Sequence, residues 1–432
     1  MTRTQERLAD ALQASAARVR DDRLRPLPEP GLRPARRGRR RGGLVPAAWQ
    51  GWLAPAAAAV SVALVVGLAL ALTSAPGRLA GRSGPASAAA AVFPRYFAQF
   101  AGTDPVGASV DIRSVATGSV VASAPSPRQA GWSVQPDAMA AAPDGRTFYV
   151  AYVAQHPGTS TPPQTWIYRF SATGSALTMI RDGVITDSAS IGLRASMAVS
   201  PDGTRLALTV AGPRAGAGGG PGTTDKIVVV DLRTGARSGW AGGLDRGGRT
   251  LLIPDVSWTP DGQSVIFLAL WCNPAIGLNL CENAFVPAAS RLEQVRSVPA
   301  ASAGGLLSGG RVLLSQADVV PVITAVAGGP RPGELTLLVL SGRKTTAGAW
   351  PVATVERVAE GTGRVLGTDY RLLTPRGGNP SPDVELGADP GGQHLLLTTG
   401  SRDGFLTGWV HGGLFRPLPI RQPYLGYPIT AW

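Results

Sequence analysis

Hydrophobic and polar positions divide the chain into regimes of different period. Over 93–432, apolar runs of strand length alternate with turn residues, and no long stretch keeps a helical period. Ahead of this region, Trp52 to Leu72 is a run of 21 residues without a charge. At about 1.5 Å per residue such a helix spans roughly 31 Å, the thickness of a bilayer's hydrocarbon core. Pro55 falls in its first turn, where a missing N–H costs little, and Trp49 and Trp52 sit where interfacial anchors belong. The pattern predicts a membrane-spanning helix over 51–73. At the amino terminus, Thr2 and Gln5 have capping-box spacing, and Leu8, Leu12, Ala16 and Val19 fall on one thin stripe. This predicts an amphipathic helix over 1–20. Residues 21–50 are rich in Pro, Gly and Arg and read as a linker, and 74–92 read as a Ser, Gly, Pro and Ala spacer.

Within 93–432 one unit recurs. Ala-Met-Ala-Ala-Ala-Pro-Asp-Gly-Arg-Thr-Phe-Tyr-Val at 138–150 returns as Ser-Met-Ala-Val-Ser-Pro-Asp-Gly-Thr-Arg-Leu-Ala-Leu at 196–208. It returns again as Asp-Val-Ser-Trp-Thr-Pro-Asp-Gly-Gln-Ser-Val-Ile-Phe at 255–267, and in worn form at 387–397. Pro presets φ, Asp tolerates the bridge conformation, and Gly takes the left-handed one, so each unit is strand, tight turn, strand. Thr-Gly turns such as 230–236, 170–175 and 114–119 follow, which makes four-stranded meanders. The Pro-Asp-Gly prolines fall at 143, 201 and 260, steps of 58 and 59 residues, and the worn copy lies 130 residues further on. One blade between them has therefore lost its signature. Repeats of this size that each form one sheet mean an all-β propeller, because a single blade cannot bury both of its faces.

On these turns the stretch 95–432 resembles the WD40-like, TolB-like class of β-propellers, whose hallmark is a Ser/Thr-Pro-Asp-Gly turn between the inner two strands. The resemblance implies architecture and is nearly silent on function. With the anchor and basic leader, the whole chain resembles membrane-tethered propeller proteins of high-GC Gram-positive bacteria. Their short leaders invite comparison with membrane-bound anti-sigma factors, although this chain has no cysteine before the membrane and so lacks the zinc-binding His-Cys-Cys motif of the best-known class. Meanders near 137–181, 195–240, 255–316, 320–373 and 384–419 leave two incomplete pieces. The first piece has three strands (96–100, 108–114 and 119–123). The last, Tyr427-Pro-Ile-Thr-Ala-Trp432, reads like the inner strand Ile253-Pro-Asp-Val-Ser-Trp258. Ile429 and Trp432 are thus expected in a strand that closes a ring of six blades. Seven blades, with 299–317 as an extra half-unit, is the alternative.

Charge sets the expected topology. Residues 1–50 hold 12 Arg against 5 Asp and Glu, and Arg36, Arg37, Arg39, Arg40 and Arg41 crowd the apolar run. By the positive-inside rule the leader is cytoplasmic and the propeller lies outside. A cleaved signal peptide, with a site such as Ala86-Ser87-Ala88, is the alternative, but the charged leader is too long for it. The net charge of +13 then divides into +7 on the leader and a mild +6 outside, with 29 basic and 23 acidic residues beyond the leader. No nucleic-acid signature accompanies it. The two cysteines, Cys272 and Cys281, lack zinc spacing and, in an oxidising compartment, read as one local disulfide.

Chemistry is sparse. The three histidines, His156, His394 and His411, form no His-x-x-x-His or zincin motif, and there is no Gly-x-Ser-x-Gly elbow. Ser341-Gly-Arg-Lys344 has Ser-x-x-Lys spacing but follows a strand and reads as a chance turn. The Gly-rich run 211–222 lacks the Lys-Ser/Thr of a phosphate loop. No cofactor, metal or catalytic residue is expected. The reading is a non-enzymatic, membrane-tethered binding or sensor propeller. Leu8, Leu12 and Val19 are its docking stripe for a cytoplasmic partner such as a sigma factor. The stripe is thin, and a solvated leader helix without a partner is the alternative to it. For the whole chain, a scaffold in envelope assembly, or a lyase or quinoprotein propeller, are the other readings.

Overall fold

The computed structural model describes residues 93–101, 108–159, 161–186, 196–210, 225–243, 249–272, 291–305, 309–315, 322–345, 348–373, 384–401, 404–411, 413–420 and 430–431. The apolar run with its leader and spacer, the Gly-rich run 211–222, and Leu8, Leu12, Val19, Cys281, Ile429 and Trp432 lie outside the described residues. No helix among the described residues is long and apolar enough to cross a membrane.

Blade 1 begins with β1 (Tyr96–Ala101), β2 (Ser109–Ser114) and β3 (Val120–Ala124). Blade 2 is β4 (Ser133–Ala141), β5 (Thr147–Gln155), β6 (Gln164–Ser171) and β7 (Thr178–Ile185). Blade 3 is β8 (Met197–Val199), β9 (Arg205–Val210), β10 (Lys226–Asp231) and β11 (Arg237–Ala241). Blade 4 starts with β12 (Thr250–Trp258), β13 (Ser264–Cys272) and β14 (Arg291–Pro299). The two-residue β15 (Gly304–Gly305) then joins blade 3, parallel to β11, before β16 (Arg311–Ser315) completes blade 4. Blade 5 is β17 (Val322–Gly328), β18 (Glu334–Thr345), β19 (Gly348–Ala359) and β20 (Val365–Leu373). Blade 6 is β21 (Val384–Ala388), β22 (Leu395–Ser401), β23 (Gly404–His411) and β24 (Leu414–Pro417). Finally β25 (Thr430–Ala431) pairs antiparallel with β1, Ala431 opposite Ala98 and Thr430 opposite Gln99.

The innermost strands touch in the order β25, β4, β8, β12, β17, β21 and back to β25. The ring therefore has six blades, and its seam joins the last strand to the first three. The seven-bladed alternative is corrected: within 299–317, Gly304–Gly305 is an edge strand of blade 3 and Arg311–Ser315 the outer strand of blade 4.

Burial explains the sequence pattern. Blades stack face to face, so a middle strand is covered on both sides and reads as a continuous apolar run. In β13 every residue from Val265 to Cys272 is buried. Outer strands keep the period of two, as in β3, whose exposed Val120 and Val121 precede buried Ala122 and Ala124. Each blade interface holds its own apolar cluster, and each fully buried Phe or Leu contributes roughly 1.5–3 kcal/mol. Blades 3 and 4, for example, meet through Ile227, Val229 and Trp240 against Trp258, Phe267 and Trp271. Among the described residues the interface between blades 6 and 1 is the leanest of these, with Phe97, Leu396 and Leu418 buried and Phe93, Val115 and Trp409 beside them.

The turns behave as their residues dictate. Gly145, Gly203 and Gly262 take φ of +61°, +73° and +66°, and their N–H groups donate to Ala142, Ser200 and Thr259 O. The worn copy does the same, with Gly392 at +64° donating to Asp389 O. Blade 5, whose signature is missing, turns through Gly329-Pro330-Arg331-Pro332-Gly333 with Gly333 at +77°.

Candidate functional site

The inner strands of the ring surround a central lumen of about 450 Å³. Its walls carry Asp137 from β4, Asp225, Asp255 from β12, Glu385 from β21, and Asp389, with no Lys, Arg or His among the described lining residues. Three of the inner strands are bulged where they line it: β4 between Pro136 and Ala138, β12 between Leu252 and Asp255, and β17 between Ile323 and Ala325. In β4 and β12 a proline interrupts the ladder, since it has no N–H to donate, and the residue after it is the lumen aspartate.

Bulges free backbone N–H groups, and buried carboxylates of the preceding blade take them up. Asp225 accepts from Ile253 N at 2.8 Å, and Glu293 of β14 accepts from Ile323 N at 2.9 Å. Asp255 does most. Ser196, just ahead of β8, donates its hydroxyl to Asp255 Oδ1 at 2.7 Å, and Val326 N of β17 donates to Oδ2 at 2.7 Å. Ser196 Oγ in turn accepts from Val256 N at 3.1 Å. One carboxyl thus joins blades 3, 4 and 5. Burial pushes it up to about 7, against the pull of the hydrogen bonds from Ser196 and Val326.

The turn aspartates have a different task. Asp144 accepts from Arg146 N, Thr147 N and the Thr147 hydroxyl, and Asp261 from Thr259 Oγ1 and Gln263 N. The Thr259 hydroxyl and the Gln263 N–H hold Asp261 below the usual carboxylate range. In blade 6, Asp389 accepts from Gln393 N and His394 N and pairs with His394 Nδ1 at 2.8 Å. Their repetition is accounted for by turn closure.

No family model and no curated protein matches the sequence. Among solved structures the chain is similar to TolB from Acinetobacter baumannii, with a TM-score of 0.43 and 16% identity over 84% of this chain and 69% of that one. It is also similar to the hydrazine synthase of Kuenenia stuttgartiensis (TM-score 0.40, 14% identity, 77% of this chain and 80% of that one). A third is the Cps50 (Swd1) β-propeller domain of Myceliophteria thermophila (TM-score 0.36, 9% identity, 76% of this chain and 85% of that one).

The residues singled out in the sequence are scattered around the ring. His156 packs on Trp132 in blade 2, whereas His394 and His411 both belong to blade 6, near Phe93 and Trp409. No group of three or more metal-ligating side chains comes together among the described residues. Ser341-Gly-Arg-Lys344 is not a turn: it continues β18, paired with β19 from Val352 to Ala349. Cys272 ends β13 and is fully buried. The lumen acids form no local motif; the sequence signal for two of them is the pair Pro136-Asp137 and Pro254-Asp255, each just ahead of a Pro-Asp-Gly turn.

Chemically, a narrow cavity with carboxyl walls and low-dielectric surroundings concentrates a negative potential. It favours positively charged guests of small-ligand size. Asp255, half-buried against the lumen, changes its charge near neutrality and so sets part of that potential.

Proposed function

We propose that this chain is a non-enzymatic, membrane-tethered propeller held outside the cell membrane, which binds small organic cations in its lumen and reports inward through its leader. The observation that carries the reading is the lumen itself: among the described residues five carboxyl groups and no basic side chain line it, although the residues beyond the leader carry a net charge of +6. Such a bias is not a by-product of composition. A closed antiparallel ring is also pre-formed, so little ordering is lost when a guest enters.

The helix over 51–73 supplies the tether, and Leu8, Leu12 and Val19 supply a stripe for a cytoplasmic partner, a sigma factor being the candidate. Burying three such side chains contributes several kcal/mol before ordering costs, on the scale of a weak regulated contact. Recovery of the same cytoplasmic proteins after deletion of residues 2–20 would remove the stripe from the account. Outside the membrane, Cys272 and Cys281 form a clamp on the insertion after β13, which mapping of unreduced peptides checks.

Calorimetric titration of the full-length protein with spermidine at low salt tests the lumen. Saturable binding is expected, weakened at least tenfold in the double variant Asp137→Asn, Glu385→Gln. No binding, or equal binding by the variant, contradicts the reading.

A further inference from the structure

Asp255 is a lumen carboxyl whose hydrogen bonds tie three consecutive blades together. Its two oxygens reach Ser196 of blade 3 and Val326 N of blade 5 from its own place on β12. The same two interfaces are reinforced along β12, where Trp258 Nε1 donates to Ala198 O at 2.9 Å and Gly328 N donates to Ser257 Oγ at 3.3 Å.

The charges around Asp255 do not balance it. The strands packed against β12 are β8, β9, β13 and β17. β8, β13 and β17 carry no ionisable residue, the disulfide-bonded Cys272 of β13 having no thiol to titrate. β9 carries Arg205, whose guanidinium lies 5.1 Å from the Trp258 ring and donates to Gly262 O at 2.6 Å. Arg249 precedes β12 and Lys226 begins β10, and neither lines the lumen. Asp225 sits beside it, bonded to Ile253 N of β12, and the lumen walls also carry Asp137, Glu385 and Asp389, the last paired with His394.

We propose that Asp255 is a proton-operated latch across blades 3, 4 and 5, which sets the tightness of the ring and the charge of the lumen according to external pH. The inference deepens the lumen-binding reading and rests on it for its purpose, but not for its test. With the proton on Oδ1, the carboxyl donates to Ser196 Oγ, whose own hydrogen turns toward the lumen. Oδ2 keeps the Val326 N–H and Ser196 keeps the Val256 N–H, so the bridge is intact and no charge is buried. Loss of the proton to solvent leaves an anion among four other acids. A cation in the lumen offsets that charge, so guest binding and proton release are coupled.

The sign follows from burial. A carboxyl that holds its proton more tightly in the folded ring than in the unfolded chain stabilises fully below pH 4. That stabilisation is lost as pH rises to about 7 and stays lost above it. Asp255→Asn keeps both bonds, its Oδ1 accepting from Val326 N and its Nδ2 donating to Ser196 Oγ, and cannot ionise. Thermal melts of the full-length protein and of Asp255→Asn from pH 4.5 to 8.5 are the test. The wild-type melting temperature should fall by several degrees relative to the variant up to about pH 7 and then run parallel to it. Curves parallel over the whole range overturn the latch. Should Asp255→Asn fail to fold, Ser196→Ala is read instead: losing that donor should carry the fall beyond pH 7, and an unchanged profile overturns the latch. Spermidine binding is scored separately, so failure of the lumen reading and failure of the latch are distinguishable.

Discussion

At the scale of single residues, the turn glycines show how the same conformation carries different loads. Gly145 and Gly392 both sit in the left-handed region, at +61° and +64°. A Cβ on Gly145 meets nothing within 4 Å, whereas one on Gly392 runs into the backbone oxygens of Gly328 and Gly329 in the neighbouring blade. Gly145→Ala should therefore cost about 1 kcal/mol of backbone strain, and Gly392→Ala about 2–4 kcal/mol, because backbone cannot step aside. Denaturant titration of the two variants checks this, and equal losses would contradict it. Carboxyl groups divide in the same way. Asp261 is held low by its turn, so its stabilisation is present above pH 4 and lost as pH falls further. Asp255 has the opposite slope. The Pro-Asp-Gly turns were legible because their chemistry is local. The turn of blade 5 was not, since two prolines flank Arg331 where Asp would be expected and only the left-handed Gly333 is kept.

At the scale of elements, the ring is a series of meanders whose contacts are mostly between neighbours in sequence, and this is why five blades were readable within a few residues. The exceptions are non-local. β15 consists of two glycines that pair with Trp240 and Ala241 more than sixty residues earlier, and no side-chain pattern announces such a pairing. The seam is the other non-local element, and it was legible only because two incomplete pieces of sequence complement one another. β25 offers two residues of ladder to β1, against the nine residues of β4 or β12. Even so, it covers an edge and adds Ala431 to the cluster between blades 1 and 2. Deleting residues 427–432 should lower the melting temperature by many degrees or prevent soluble folding. A truncated chain that melts with the full-length one would contradict closure by this strand.

At the scale of the whole molecule, the sequence pointed to a propeller but not to its lumen, because the acids that line it come from blades far apart in the chain. Asp137 and Glu385 meet the same cavity from 248 positions apart. Only the topology brings them together, and only the ring makes them a site. The remaining claim concerns where that ring is displayed, and on it rests any use of external pH or external cations. External protease on intact protoplasts tests it most directly. Cleavage in the spacer 74–92 should release the propeller of 93–432 into the medium while the leader of 1–50 stays protected inside. A propeller that stays uncut with the cells until detergent opens the membrane would contradict the account.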